Sequence, residues 1–383
     1  MKTYIKLFYI LIFVFLFNQF SISAEKIKIG LIVPLSGKHE LIGKSILNSA
    51  KLALMSINNN NIEILPRDSK SDPMTVLNLS KELYSNYGVK IIIGPVFNKS
   101  GKFLNQIPQV TFLSLTNKLM NNHSNVISAG VNAMSQINTI KKFLKNEELR
   151  NTIFLIPNSK FKIEVEKAIM NSKIKIKDKF VYSTDPTLLT KEVSKITKYS
   201  TRKQNLIDEI KRLEKTNEVN KDRKLEILKK RDTLGGINFD SIIVADFDQN
   251  LKSVLTSFLY TDVSSKRVKY ISFNHWFDKS LLKEVGLHPI YFPSVDKENY
   301  NYFINKYEKN FNIKPNHLSF LSYDLVGLTC YLIIKNNYEI KQNMFFEKNL
   351  FKGKIGVFEI NKNKIIHRLS FYSTENNGFK KIF

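Results

Sequence analysis

Hydrophobic positions in this chain come in two rhythms that alternate from end to end. Ile29-Gly30-Leu31-Ile32-Val33 is a near-continuous apolar run of the length of a strand buried on both faces. Turn residues Pro34 to Gly37 break it, and Ile42, Ile46, Ala50, Ala53, Leu54 and Ile57 then recur at helical spacing. The same unit returns: strands are predicted at Ile62–Leu65, Val89–Ile93 and Val110–Leu113, with a helix opening at Asp72-Pro73 between the first two. A second series follows, with strands at 152–156, 174–182, 239–245 and 268–273 and helices at 138–144, 165–170 and 251–259. Strands alternating with helices predict an α/β fold of two doubly wound parallel-sheet lobes in succession.

One stretch departs from both rhythms. Thr201 to Leu234 has almost no apolar run and carries charges of both signs, with Leu206, Ile210, Leu213, Leu225 and Leu228 at helical spacing. It predicts a charged helical hairpin, broken near Thr216-Asn217 and inserted in the second lobe. A solvated surface insertion and a docking arm both fit that pattern.

Lys2 and Lys6 precede the apolar run Leu7 to Phe17 and the small-residue segment Ser21 to Ala24, which reads as a secretory signal peptide over residues 1–24. An uncleaved anchor is the alternative. No later segment is long enough to span a bilayer, so the mature chain is expected to be exported, soluble and not membrane-spanning. The single cysteine, Cys330, rules out an intramolecular disulfide and lies in an apolar helical run as a structural thiol. The formal charge is +25, or +23 once Lys2 and Lys6 leave. Such charge would suit nucleic acid, but the lysines are scattered, abundant Asn, Ile, Phe and Tyr mark an AT-rich coding bias, and exported proteins rarely meet nucleic acid. No nucleic-acid partner is expected.

Enzymatic motifs are absent. The six histidines form no metal-ligand spacing, no cofactor is implied, and neither G-x-S-x-G nor C-x-x-C occurs. Gly43-Lys44-Ser45 imitates the end of a phosphate-binding loop, but position 38 is Lys and the Gly-Lys pair lies inside the helical stripe.

Ile29 to Leu54, Arg67-Asp68 with Asp72-Pro73, Ile92 to Val96, Leu113-Ser114 and Ser322-Tyr323-Asp324 resemble the type I periplasmic binding proteins of the leucine/isoleucine/valine class. Leu65 to Asp68, Arg231 to Leu234 and Phe239-Asp240 resemble its penicillin-binding protein activator branch. The repeated strand–helix series predicts a monomer, and the resemblance implies lobe 1 at about 25–133 plus 294–345 and lobe 2 at 134–293 plus 346–383, with the hairpin at 201–234 inside lobe 2. The resemblance also implies a cleft site drawn from Ser36, Asn98, Thr116, Lys118, Phe161, Asp246, Asn274 and His275. Asn98 would stand where the amino-acid binders use serine, and Phe161 where they use tyrosine. An acidic anchor is replaced by Asn274-His275, leaving Asp246 to meet an ammonium and Lys118 a carboxylate. Two functions follow: a regulator that docks on a murein synthase, or a carrier that presents a small polar solute to an ABC permease.

Overall fold

The computed structural model describes residues 26–118, 124–341, 343–345, 350–361, 364–375 and 378–383; the signal-peptide reading lies outside them. The opening apolar run is β1 (Ile27–Val33), fully buried over its last five residues, and the helical stripe after it is α1 (Glu40–Ile57). Then come β2 (Ile62–Asp68), α2 (Pro73–Tyr87), β3 (Ile91–Ile93), β4 (Thr111–Ser114) and β5 (Val126–Ser128). Asp72 caps α2 by accepting from the Thr75 amide at 2.7 Å, with Pro73 supplying its pre-set φ in the first turn. These strands lie in the order 2-1-3-4-5, all parallel. That order places a topological switch between β1 and β3, where an open α/β sheet offers a crevice at its strand carboxyl ends.

The chain crosses to the second lobe after β5 and repeats the pattern. The elements are α3 (Ala133–Asn146), β6 (Thr152–Pro157), α4 (Lys162–Ser172), β7 (Asp178–Tyr182) and α5 (Pro186–Ile196), then α6 (Tyr199–Glu214), α7 (Lys221–Lys229), β8 (Ser241–Val244), α8 (Asp248–Tyr260), β9 (Lys269–Ser272) and β10 (Ile290–Ser294). The order 7-6-8-9-10 is the same topology and gives a second switch facing the first. Asn132 latches the crossover: it caps α3 through the Ser135 amide and donates to the Ile365 carbonyl at 2.8 Å.

The chain then returns. α9 (Lys297–Phe311) and α10 (His317–Lys335) pack on the first sheet beside α1, where Tyr300, Phe303, Tyr307, Phe320 and Leu325 join its core. By length and composition α10 could cross a membrane, which the sequence reading excluded for every later segment; most of it is buried inside this lobe. Cys330 is buried there, and burial pushes its thiol up to about 12.

The lobe boundary near the carboxyl end needs correction. Residues 346–383 were all expected in lobe 2, yet β11 (Leu350–Lys352), β12 (Val357–Asn361) and β13 (Lys364–Arg368) extend the first sheet beyond β5. Only β14 (Ser370–Glu375) and β15 (Gly378–Lys381) join the second sheet, antiparallel to β10. The physical anchor is Asp324 on α10. Its carboxylate accepts from the amides of Lys354 and Ile355 at 2.8 and 2.7 Å and ties the β11–β12 turn to lobe 1.

Candidate functional site

Between the two switch points lies a cavity of about 630 Å3. Lobe 1 supplies His39 from the loop after β1, Phe97, Asn98 and Lys99 after β3, and Thr116 and Lys118 after β4. Lobe 2 supplies Phe247 after β8 and Asn274 and Trp276 after β9, while Gln136 projects from α3 and His317 begins α10. Gly130, in the crossover, also lines it: a β-carbon there would stand 2.6 Å from the Thr116 carbonyl, so only glycine lets the crossover pass so close.

Of the eight expected residues, the structure brings Asn98, Thr116, Lys118 and Asn274 together around this cavity. The other four do not line it. The Ser36 hydroxyl donates to Asp68, whose other carboxylate oxygen accepts from the amides of Leu35 and Lys70 at 2.8 and 2.9 Å. Asp68 thus shapes the loop after β1. Phe161 packs its ring at 5.9 Å from Phe247 and supports that wall from behind. Asp246 is buried and engaged: it accepts from the Tyr182 hydroxyl at 2.6 Å and from the Phe247 amide at 2.9 Å. Among the described residues that line the cavity, none is a carboxylate that could meet an ammonium. His275 is buried with Nε2 at 2.8 Å from the Ser272 hydroxyl, and burial lowers its imidazole to about 4.

Asn274 is the informative residue. Its Oδ1 accepts from the Trp276 amide at 2.9 Å and from the Ser294 hydroxyl at 2.8 Å, which fixes the orientation of the amide. Its Nδ2 is buried and has no partner among the described residues. A buried donor left unpaired costs roughly 1–3 kcal/mol, so an acceptor on a bound molecule would be strongly favoured there. Among the lining residues none is acidic, whereas Lys99 and Lys118 both are cationic. The walls are aromatic: Phe97 lies 4.5 Å from His39 and Trp276 stacks 5.1 Å from His317. Burial lowers the His317 imidazole, against the pull of Asp248, and favours the neutral ring. The cavity therefore offers donors, cations and flat apolar surfaces, a combination for an organic acid. Phe97, Trp276, His317, His39 and Gln136 were missed from sequence, although Phe97 and Trp276 adjoin the expected Asn98 and His275.

The resembling phosphate-loop motif is dismissed by packing: a β-carbon on Gly43 would collide with the Pro34 carbonyl oxygen at 1.7 Å. Gly43 lets α1 approach the end of β1. Among the described residues, no group of three His, Cys, Asp or Glu side chains could hold a metal.

Such a paired-lobe architecture with an interlobe cavity defines the type I periplasmic binding fold, and this chain has it. The model of the periplasmic binding protein family matches residues 26–186. A putative branched-chain amino acid ABC transporter protein from Rhodospirillum rubrum is similar with a TM-score of 0.70 at 12% identity, covering 93% of this chain and 100% of that one. The solute binding protein of an ABC transporter from Rhodopseudomonas palustris, solved with 3,4-dihydroxy benzoic acid, gives 0.56 at 14% identity over 93% and 96%. Full-length LpoA from Haemophilus influenzae gives 0.61 at 14% identity, over 94% of this chain and 59% of that one. None of the curated proteins matches.

Proposed function

We propose that this chain is a non-enzymatic extracytoplasmic binding protein of the penicillin-binding protein activator type, regulating peptidoglycan synthesis by docking on a murein synthase. The observation that carries this reading is the α6–α7 hairpin, a built insertion. Leu206, Leu213 and Leu228 bury one another, and outside them runs an exposed charge lattice in which Arg212 bridges Glu209 and Glu218, each at 2.8 Å, and Lys224 bridges Glu218 at 2.8 Å. Exposed pairs add little to stability but set encounter rate and partner choice. Its root is pinned: the buried Arg202 donates to the carbonyls of Thr197 and Thr261 and to the Thr233 hydroxyl, and lies 3.8 Å from Asp262. Thr233 belongs to the Arg231–Leu234 stretch that carried the activator resemblance. The similarity to LpoA supports the same reading.

The root also dictates the test. Excising 201–234 would remove Arg202 and strand its partners, so the hairpin is shortened within 205–230 by a Gly-Ser bridge. The shortened form should fold and lose recovery of a murein synthase from envelope extract. Equal recovery by both forms would sink the docking role.

A second reading, carriage of a small solute to an ABC permease, is favoured by the unpaired Asn274 donor in the cavity. In that case benzoate-like acids should bind in calorimetry more tightly than leucine, whose ammonium would face Lys99 and Lys118.

A further inference from the structure

Beside the main cavity lies a vestibule of about 230 Å3. Asn98 and Lys118 line both spaces, so the two adjoin at these residues. Lys118 comes from lobe 1 and Lys364 from β13 of the same sheet, while Lys160 comes from the loop before α4 and Glu164 and Lys167 from α4 itself in lobe 2. Four lysines line one small space, and among the described residues none of the four makes an ion pair. Elsewhere on this surface lysines find acids readily: Lys179 on β7 holds Glu166, two residues beyond Glu164 on α4, at 2.9 Å. Among the described residues the Oε1 of Glu164 is buried without a hydrogen-bond partner. Burial raises that carboxyl to about 7, against the pull of Lys118 and Lys167.

We propose that this vestibule is a binding site for a compact polyvalent anion of the phosphate class, held by lysines from both lobes. Four lysines around one concave space attract such a group more strongly than lysines dispersed singly do. A neutral Glu164 can donate a hydrogen bond to an anion oxygen, and an ionised one repels it, so the acid tunes the site. Because the lysines come from both sides of the cleft, an occupant would draw the lobes together. The anion is either free or one end of a molecule whose body fills the main cavity through the Asn98–Lys118 opening.

Calorimetry with inorganic phosphate and with phenyl phosphate, at matched ionic strength against chloride, tests the site in the full mature chain. Either probe should bind, and Lys167→Gln with Lys364→Gln should weaken it at least tenfold, while Glu164→Gln binds no weaker than the parent. Phenyl phosphate binding at least ten times tighter than inorganic phosphate, with the gain lost in Asn274→Asp, identifies the tethered form; equal binding of the two identifies the free anion. Circular dichroism of each variant separates lost binding from lost fold. Binding of neither probe, or binding indifferent to both lysine changes in folded protein, overturns the proposal. Neither result touches the hairpin docking test, which reads a different surface.

Discussion

On the first-lobe wall of the cleft, Asn98, Lys99 and Lys118 line the cavity, and among the described residues their side chains make no hydrogen bond or ion pair; on the second-lobe wall most polar side chains are held by partners within the protein. Asp246 serves Tyr182 and the start of α8, His275 serves Ser272, and Gln136 accepts from the Asn274 amide at 2.7 Å. What remains on that side is aromatic surface and one amide nitrogen. Two sheets of the same topology thus differ: one wall carries cations, the other is braced and flat. A residue's position after a strand decides whether it reaches the cleft. Its hydrogen-bonding partners decide whether it is free to act there.

The largest expected effect probes the braced wall through pH. His275 is lowered to about 4 by burial, with Asp278 pulling the other way, whereas an unfolded histidine titrates near 6.5. The unfolded state therefore takes up the proton first as pH falls. The stability conferred by the neutral ring is complete above about pH 6.5 and lost on the way down to about 4. Measured by denaturant titration, the stability difference between parent and His275→Gln should change by about 3 kcal/mol between pH 7 and pH 4. A constant difference would mean the imidazole is hydrated after all.

Next in size, Asp246→Ala should destabilise the protein by about 2–3 kcal/mol, because the Tyr182 hydroxyl and the Phe247 amide lose a buried charged acceptor. From the sequence alone Asp246 was expected to meet a ligand's ammonium, a role at the cleft and not in the core. An unchanged melting temperature would restore that view.

The smallest stability effect belongs to the open wall. Lys118→Gln should alter unfolding free energy by less than about 0.5 kcal/mol, while weakening the binding of an organic acid about tenfold. A clear loss of stability would show that lobe 1 is braced as lobe 2 is, and the contrast between the walls would fall.

Periodicity alone marked β1, α1 and the two successive strand–helix series, because burial on both faces of a parallel sheet forces apolar runs that any reader of the chain can see. The charged hairpin was equally legible, though the structure begins it at Tyr199 and shows its root anchored by Arg202. The family resemblance marked Asn98, Thr116, Lys118 and Asn274 as cleft candidates. What the sequence could not contain was the fate of each polar group. Asp246, Ser36 and His275 stand at strand ends like their neighbours, and only packing turned them toward Tyr182, Asp68 and Ser272. The placement of β11 to β13 on the first sheet was also decided in three dimensions, by Asp324 reaching from α10 to the Lys354 and Ile355 amides. Such choices depend on partners tens or hundreds of residues away, and His317 meeting Trp276 across the cleft is of the same kind. Local pattern fixes which segments must be buried; long-range contact decides what each buried or facing group is left free to do.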